Sequence, residues 1–272
     1  MNKETIEIKK EKLIQRIREC DSLLIAFSGG VDSTFLLAVA HRILGDKVLA
    51  VTASSEAHPS REKDEATAFT HERGIPHIVY ESNETRLAEF ISNTPDRCYH
   101  CKKYLSQALL KIANERNIRH VAHAVNMDDL KDYRPGLKAA EELGIIAPLV
   151  DAGLTKEEIR FLSREEDLPT WNKPSMACLA SRIPYGEIIT PEKLKMVQEA
   201  EAFLAHHGFR QYRVRHHGHV ARIEIEDPDL EKIMAPEFRK KTAEKFRKIG
   251  FLHTAVDIEV YQSGRMNRAL EK

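Results

Sequence analysis

Short apolar runs alternate with helical segments along the first half of the chain, and this alternation restricts the fold more than any other feature. Residues 3–20 carry apolar side chains mostly at helical spacing, and residues 22–27 form a short apolar run that ends in small residues. The pattern continues as predicted helices at 33–44, 59–73 and 99–114, with predicted strands at 48–52, 77–80 and 120–124. Repeats of this kind predict an α/β fold with a doubly wound, mainly parallel sheet.

The alternation stops after residue 166. Further strand and helix material is predicted at 131–143, 145–149 and 155–166, whereas residues 168–186 contain three prolines and little periodicity. We therefore predict a first domain over 1–188 and a smaller α+β domain over 189–272. The predicted elements of the second domain are a helix at 191–208, strands at 211–216 and 219–226 around a turn at His217-Gly218, helices at 229–234 and 237–248, and a strand at 252–261.

The charges of the chain balance, since Lys and Arg total 42 and Asp and Glu total 42. A neutral chain argues against a protein that binds nucleic acid through its overall field. The amino terminus is charged throughout, unlike a signal peptide, and no apolar run approaches the roughly 18 residues that a membrane span needs. We therefore expect a cytoplasmic protein with no membrane partner.

A glycine-rich loop directly follows the first predicted strand and leads into an apolar helix. It reads Ser28-Gly29-Gly30-Val31-Asp32-Ser33-Thr34. The glycines let backbone N–H groups approach an anion, the hydroxyls of Ser28, Ser33 and Thr34 add donors, and the helix N-terminus adds partial positive charge. The loop is therefore predicted to bind phosphate, and a serine-capped helix after a glycine turn is the alternative. It has neither the ending of a Walker A loop nor the spacing of a dinucleotide-binding loop.

This loop resembles the PP-loop of the N-type ATP-pyrophosphatases, which have a Rossmann-like fold. The resemblance implies that the loop grips the β and γ phosphates of ATP, which leave as pyrophosphate while AMP is transferred to a substrate oxygen. It also implies that Asp32 contacts Mg²⁺, since a divalent cation resolves the repulsion between a carboxylate and phosphates. Asn126-Met127-Asp128-Asp129 follow another predicted strand, at the edge where ligands collect in open α/β sheets. Asp128 is a candidate second Mg²⁺ ligand, and a polar turn that caps the next helix is the alternative.

Three of the four cysteines indicate chemistry. Cys98 and Cys101 are one helical turn apart, and Cys178 lies in the segment without periodicity. In a reducing compartment such thiols favour metal or redox chemistry over disulfides. A zinc site with His100, an iron–sulfur cluster held by three cysteines, and a pair of helix thiols without a function all remain open. Cys20, near a helix end, is predicted to be structural.

Seven stretches spread over nearly the whole chain resemble the LarE family of pyridinium-3,5-biscarboxylic acid mononucleotide sulfurtransferases. They are Asn93-Thr94-Pro95-Asp96-Arg97, Asp132-Tyr133-Arg134-Pro135-Gly136-Leu137-Lys138, Trp171-Asn172-Lys173-Pro174, Ser181-Arg182-Ile183-Pro184-Tyr185-Gly186, Tyr212-Arg213-Val214-Arg215, Ala221-Arg222-Ile223-Glu224 and Ser263-Gly264-Arg265-Met266-Asn267. The resemblance implies an enzyme that adenylates a carboxylate of the pyridinium mononucleotide and replaces AMP with sulfur, in the biosynthesis of a nickel-pincer cofactor. It also implies a homo-oligomer, since family members can assemble as hexamers, and leaves the sulfur donor unknown.

The family implies two sulfur sources. Some members sacrifice the sulfur of a single cysteine near the SRxPYG stretch and end with dehydroalanine, whereas others carry three cysteines and a [4Fe-4S] cluster. Cys98, Cys101 and Cys178 match the second kind. The resemblance therefore predicts that these three residues are catalytic and hold the cluster.

Two arginines are predicted to bind the substrate. Arg213 and Arg215 are two apart in a predicted strand and therefore share one face, where they form a fork for a phosphate. The family assigns arginines of this motif to the phosphate of the substrate, and Glu224 and Arg182 complete the predicted pocket. An exposed, salt-bridged strand is the alternative.

Three other functions remain open. A tRNA thiolase shares the PP-loop and adenylation, and the basic run from Arg210 to Arg222 could contact a backbone, but the neutral charge counts against a nucleic acid partner. An ammonia-using synthetase of the NAD or GMP type would leave the cysteine pair without a purpose. A non-enzymatic ATP-binding module would release no pyrophosphate when a substrate is added.

Overall fold

A computed structural model of the protein describes residues 3–131, 135–175, 177–262 and 264–270. Its contacts divide the chain into two compact units. The first unit comprises Met1–Ser55, Ser60–Glu84 and Asp96–Lys173, and the second comprises Glu56–Pro59, Thr85–Pro95 and Pro174–Lys272. The division after Lys173 precedes the predicted domain boundary at residue 188. The assignment of independent domains stays a prediction.

The described residues form the helices and strands that follow, in chain order. The helices are α1 (Lys3–Arg18), α2 (Val31–Leu44), α3 (Ser60–Glu72), α4 (Ala88–Ile91), α5 (Arg97–Glu115), α6 (Pro135–Glu142), α7 (Pro148–Asp151), α8 (Lys156–Glu165), α9 (Pro191–His206), α10 (Asp227–Met234) and α11 (Pro236–Ile249). The strands are β1 (Leu23–Ala26), β2 (Val48–Ser54), β3 (His77–Glu81), β4 (His120–Ala122), β5 (Tyr212–His217), β6 (Val220–Ile225) and β7 (His253–Val256). None of the described helices is long and apolar enough to cross a membrane.

The sheet of the first unit has the order β3-β2-β1-β4, and all of its neighbouring strands are parallel. Alternate residues of β1 enter different cores. Leu23 and Ile25 belong to one buried cluster with side chains of α1, α2 and α8, whereas Leu24 belongs to another with side chains of α5 and α6. Because successive strand residues point to opposite faces, helices cover both faces of the sheet. The predicted doubly wound, parallel α/β sheet is confirmed.

The strand order places β1 at the centre of a topological switch. From β1 the chain moves to β2 and then β3 on one side, and later crosses to β4 on the other side of β1. Open α/β sheets bind ligands outside the carboxyl ends of their strands at such a point. The loops that follow β1 and β4 therefore lie at the expected binding edge.

The second unit contains a small mixed sheet. β5 and β6 form an antiparallel hairpin, and β7 pairs in parallel with β6. The hairpin turn is Gly218-His219, one residue later than predicted, because His217 still pairs with Val220 and Gly218 takes a φ of +59°. A two-residue hairpin turn often needs this left-handed conformation. The predicted strand at 252–261 is limited to β7, at its beginning.

One segment of the first unit differs from the sequence expectation, and a few residues of both units are not described. The segment at 145–149 makes only a single parallel bridge between Ile146 and Ala122, because Pro148 begins α7. Residues 132–134, 176 and 263 are not described, so parts of two stretches that carry the LarE resemblance lie outside the structural account.

Candidate functional site

Residues 27–30 link β1 to α2 and contain the start of the PP-loop, which comprises residues 28–34. Gly29 takes a φ of +68°, a conformation that strains residues with a side chain. A Cβ at this position would also lie 3.3 Å from the Cβ of Ala66 on α3. The loop therefore needs glycine at position 29 for both its conformation and its approach to α3.

The predicted phosphate donors lie around this loop. The hydroxyl oxygens of Ser28 and Ser33 are 3.1 Å apart, and Ser33 also donates to the carbonyl oxygen of Gly30 over 3.2 Å. Thr34 is fully buried in α2, and its hydroxyl has no hydrogen-bond partner among the described residues. The structure thus brings the serines together, and the roles of all these residues toward ATP stay predictions.

Asp32, in the first turn of α2, contacts two distant parts of the first unit. The ammonium of Lys156 pairs with Asp32 Oδ2, and the Asn126 amide donates to Asp32 Oδ1 over 3.4 Å. Asn126 follows β4, whereas Lys156 is the first residue of α8. The loop after β4 therefore reaches the PP-loop carboxylate, as the switch-point argument predicts.

Asp128 and Asp129 lie in a hydrogen-bonded turn beside Asp32. The Asn126 side chain accepts from the backbone N of Asp128 over 2.9 Å, and Asp129 Oδ2 accepts from the backbone N of Asn126 over 3.1 Å. The two oxygens of Asp128 accept from Lys131 Nζ over 2.9 Å and from the backbone N of Lys156 over 2.8 Å. These two bonds lower the pKa of Asp128, the bond from Lys131 most. Asp128 is thus held as a carboxylate close to Lys156.

Two lysines at this site were missed by the sequence analysis as site residues. Lys156 follows the helix cap Thr155, but no local pattern links it to Asp32, 124 positions earlier. Lys173 donates to the carbonyl oxygen of Gly29 over 2.8 Å and pairs with Glu65 of α3 at 2.7 Å. Lys173 belongs to a stretch that carries the family resemblance, and this was its only signal.

His123 is a third residue that the sequence analysis missed, and it lies directly after β4. Its side chain is buried, and Nδ1 has no hydrogen-bond partner among the described residues. Burial, followed by the positive charge of Lys102, lowers the pKa of His123 to about 4. The imidazole is therefore neutral at pH 7. The predicted strand at 120–124 included His123, so its position just after the end of β4 was not recognised from the sequence.

The arginines predicted to bind the substrate lie in the second unit and differ in their partners. Arg182 is fully buried and forms a two-bond pair with Glu201 of α9, at 2.7 and 2.9 Å. Arg215 forms a similar pair with Glu224, at 3.0 and 2.8 Å. Arg213 is also buried, yet it donates only to carbonyl and phenol oxygens and has no carboxylate partner among the described residues.

Among the described residues, the charge on Arg213 is therefore not paired directly with a carboxylate. Burial, together with the positive charges of Arg182 and Arg215, lowers its pKa. Its guanidinium lies over the ring of Tyr261, 5.0 Å from the centroid. A buried cation without a paired carboxylate is costly unless an anion joins it. Among the predicted arginines, Arg213 is the one best prepared to receive an anion.

A second cluster of charges surrounds Glu224, which is fully buried. Besides Arg215, it contacts Arg222 at 3.1 Å and Arg265 at 3.9 Å. Asp257 pairs with both of these arginines, and its bond to Arg265 is 3.1 Å long. Glu224 is thus the centre of an ion network that fixes the strand carrying Arg215. The alternative of an exposed salt-bridged strand is wrong for Arg213 and Arg215, which are both buried.

The cysteines are divided between the units. Cys98 and Cys101 lie in the first turns of α5, where Cys98 is exposed and Cys101 is half-buried, and Cys178 lies in the second unit and is half-buried. None of these forms a disulfide. Within the described ranges, no group of three or more His, Cys, Asp or Glu side chains is arranged to hold a metal. Cys20 is fully buried and donates to the carbonyl oxygen of Arg16, and burial raises the pKa of its thiol.

Comparison with known proteins decides the family. Residues 2–133 match the PP-loop domain family. The sequence is 34% identical to the pyridinium-3,5-bisthiocarboxylic acid mononucleotide synthase of Lactiplantibacillus plantarum, over 98% of this chain and 97% of that protein. The chain belongs to the LarE family. It is also 40% identical to an uncharacterized protein of Synechocystis, over 98% and 100% of the two chains, and 31% identical to one of Methanocaldococcus jannaschii, over 89% and 91%.

Membership of the LarE family fixes the class of chemistry. The chain is an ATP-dependent sulfurtransferase with an ATP-binding PP-loop domain. The similarity to the LarE relative extends well beyond residue 133, where the PP-loop match ends. The compared region, 98% of this chain, therefore extends into the second unit as well as the first.

Proposed function

We propose that this protein adenylates a carboxylate of pyridinium-3,5-biscarboxylic acid mononucleotide and converts it to a thiocarboxylate, in the biosynthesis of a nickel-pincer cofactor. The observation that carries the proposal is the meeting of Asp32, Asn126 and Lys156 beside the PP-loop. It supplies a carboxylate and a cation where ATP phosphates and their metal would bind. The full-length similarity to a pyridinium-3,5-bisthiocarboxylic acid mononucleotide synthase supports this substrate.

The proposed reaction has two steps. The substrate carboxylate attacks the α-phosphorus of ATP, the bond to the bridging oxygen breaks, and pyrophosphate leaves. A sulfur nucleophile then attacks the carbonyl carbon of the acyl adenylate, and AMP leaves with the electron pair of the carbon–oxygen bond. Adenylation is needed because the oxygen of a free carboxylate is a poor leaving group.

The residues of the first unit have distinct roles in this proposal. Ser28, Gly29, Gly30, Ser33 and Thr34 bind the phosphates that become pyrophosphate. A bound phosphate oxygen would also accept from the hydroxyl of Thr34, which has no partner among the described residues. Leaving a buried polar group unpaired generally costs about 1–3 kcal/mol.

Asp32 and Asp128 fit a magnesium ion, since both are carboxylates and Mg²⁺ prefers oxygen ligands. Both contact Lys156, one through its side chain and the other through its backbone. Without a metal, the Lys156 ammonium compensates the charge of Asp32. When Mg·ATP binds, we expect this ammonium to contact the phosphates of ATP that leave as pyrophosphate.

In the second unit we assign the phosphate of the pyridinium mononucleotide to Arg213. No carboxylate of the described residues pairs with it, which supports this role, because an incoming phosphate would neutralise a buried charge. Arg215, Arg182 and Glu224 complete the proposed pocket. Arg182 and Arg215 already have carboxylate partners, and we assign to them mainly the positioning of the backbone around Cys178 and Ser181.

Cys98, Cys101 and Cys178 are proposed to supply the sulfur chemistry. Thiolates are the ligands of iron–sulfur clusters, and none of the three forms a disulfide, although the described side chains form no group arranged to hold a metal. When bound, a [4Fe-4S] cluster would provide sulfur already in an anionic form. The Arg182 guanidinium donates to the carbonyl oxygens of Ala177 and Cys178, over 2.8 and 3.1 Å, and thereby fixes the backbone of the third cysteine.

Pyrophosphate release tests the proposed function. The protein is purified without oxygen and incubated with Mg·ATP, alone and with the pyridinium mononucleotide, and the product is analysed by mass spectrometry. We expect pyrophosphate only with the acceptor, and a product in which sulfur replaces one oxygen. Release that depends instead on tRNA would favour the thiolase alternative, and no release with any acceptor would favour an ATP-binding module.

Substitution of Lys156 by Met should lower the rate of acceptor-dependent pyrophosphate release by about 100-fold, the scale seen when one preorganised charge-stabilising donor is removed. Lys111→Met is the matched control, because Lys111 also pairs with a carboxylate, that of Glu115, but both side chains are exposed and belong to α5. We expect less than about a twofold change in the control. Equal rates in the two variants would contradict the role of Lys156.

Substitution of Cys178 by Ala should remove iron and acid-labile sulfide from protein purified without oxygen, while ATP binding is kept. The wild-type protein should contain about four irons per chain if a cubane cluster is present. Cys20→Ala is the control, since Cys20 is buried in the first unit and bonded to its own helix. Full iron in Cys178→Ala, or zinc instead of iron in the wild type, would refute the three-cysteine cluster.

A further inference from the structure

Hydrogen bonds join the side chains of Thr52, His77 and Thr70 next to the PP-loop. None of these residues has a proposed role in binding ATP or the substrate. Thr52 on β2 donates to the carbonyl oxygen of Phe27 over 2.7 Å. The hydroxyl of Thr52 is also 2.8 Å from Nε2 of His77, the first residue of β3. On the other side of the ring, Nδ1 of His77 is 3.0 Å from the hydroxyl of Thr70 on α3. Thr52 and Thr70 are buried, and His77 is half-buried.

The direction of these hydrogen bonds follows from counting protons. A carbonyl oxygen only accepts, so the single hydroxyl proton of Thr52 is committed to Phe27. Nε2 of His77 must then be the donor toward Thr52. Burial lowers the pKa of His77, so the ring is neutral at pH 7 and its other nitrogen, Nδ1, is an acceptor. The hydroxyl of Thr70 also lies 3.1 and 3.0 Å from the carbonyl oxygens of Ala66 and Thr67. Helical carbonyls such as these accept from backbone N–H groups as well, so we assign the Thr70 proton to Nδ1. The ring therefore has its proton on Nε2.

Both ends of this series of hydrogen bonds reach the PP-loop. At one end, Phe27 is the residue directly before Ser28. Its backbone N donates to the carbonyl oxygen of Val51 over 2.8 Å. At the other end, Thr70 lies one helical turn after Ala66, whose Cβ is the atom that a side chain at position 29 would meet first. The spacing of four residues places Ala66 and Thr70 on the same face of α3. His77 thus links Phe27, which directly follows β1, to α3, the helix that packs against the loop at Gly29.

We propose that Thr52, His77 and Thr70 are positioning residues for the PP-loop, which hold Phe27 and α3 at the separation that lets Ser28 and Gly29 bind the phosphates of ATP. None of the three touches the phosphate loop side chains in the contacts described, and they act through the Phe27 carbonyl and through Ala66. The inference rests on the ATP-binding part of the proposed function. It does not depend on the pyridinium substrate or on the source of sulfur.

The test is direct binding of Mg·ATP by calorimetry, so that it is separate from sulfur transfer. Thr52→Val keeps the shape of the side chain but removes the donor to Phe27, and we expect Kd for ATP to rise about fivefold to tenfold, the worth of one hydrogen bond. Thr52→Ser restores the hydroxyl and should restore wild-type affinity. Thr67→Val, on the exposed face of α3, removes a hydroxyl that contacts only the carbonyl oxygen of Lys63 and should change nothing.

Two substitutions of His77 test the direction of its hydrogen bond to Thr52. His77→Gln can place an amide donor where Nε2 lies and should bind ATP nearly as well as wild type, whereas His77→Asn is too short and should match Thr52→Val. NMR can also locate the proton, because the nitrogen and carbon chemical shifts of the His77 ring differ between the Nε2-protonated and Nδ1-protonated forms. A proton on Nδ1, or unchanged ATP affinity in folded Thr52→Val, would overturn the inference. Failure of the wild type to bind ATP would instead refute the proposed function.

Discussion

Replacing Glu201 with Ala should lower the free energy of unfolding of the protein by about 3–5 kcal/mol, because it leaves a buried guanidinium without its counter-charge. Arg182 is fully buried, and both bonds of its ion pair go to Glu201. Glu201 also accepts from the backbone N of Val214 over 2.9 Å, so a strand of the small sheet loses a partner as well. Urea unfolding followed by circular dichroism measures this change.

Three related variants make this prediction specific. Glu201→Gln keeps the shape and one hydrogen-bond acceptor but loses the charge, and should fall between the wild type and Glu201→Ala. The double variant Arg182→Met with Glu201→Leu removes both charges and should recover most of the lost stability, since apolar pairs replace buried ion pairs well. Glu199→Ala, on the same helix, is the control. A loss below about 0.5 kcal/mol in Glu201→Ala, the usual range for surface changes, would contradict the argument.

Replacing Asp32 with Asn should reduce the rate of pyrophosphate release about 1,000-fold while the protein stays folded. The carboxylate is proposed to hold the magnesium ion between the PP-loop and the phosphates, and a metal supplies several kcal/mol of charge stabilisation in such reactions. Each 1.36 kcal/mol changes a rate tenfold, so this loss corresponds to about 4 kcal/mol. Asparagine has nearly the same shape as aspartate, since one carboxylate oxygen is replaced by an amide nitrogen. The effect should therefore be on chemistry rather than on folding.

The measurement is the acceptor-dependent rate at several concentrations of Mg²⁺. Asp46→Asn is the matched control, because Asp46 is an exposed aspartate just after the other end of α2. It should retain the wild-type rate. Asp32→Asn should also weaken the dependence on Mg²⁺, and an unchanged rate with an unchanged Mg²⁺ dependence would refute the assignment of Asp32 to the metal.

The central fold could be predicted because its physical causes are local. The strands and helices of the first unit come from apolar periodicity and from turns that the sequence displays, and the parallel sheet follows from their alternation. Two elements departed from the prediction for local reasons as well. Pro148 starts a helix where a strand was expected, and the conformation of Gly218 shifts the hairpin turn by one residue.

The site was only partly predictable. The PP-loop and the 126–129 segment were found because glycines and acidic residues follow strands at the binding edge. Lys156 and Lys173 were not, since a lysine at the start of a helix or in a loop has no distinguishing spacing. Their contacts with Asp32 and Gly29 arise from segments more than one hundred residues away along the chain.

The sequence by itself determined the alternating α/β architecture, the phosphate loop and the family, because each depends on residue types at short spacing. Only the tertiary structure decided which charges are compensated. Arg182, Arg213 and Arg215 look equivalent in the sequence, yet two are paired with Glu201 and Glu224 and one is not. Pairing between distant residues depends on the packing of whole elements, and the energy of a buried charge depends on that pairing. Arg213 is therefore a candidate anion site for a reason that no local pattern contains.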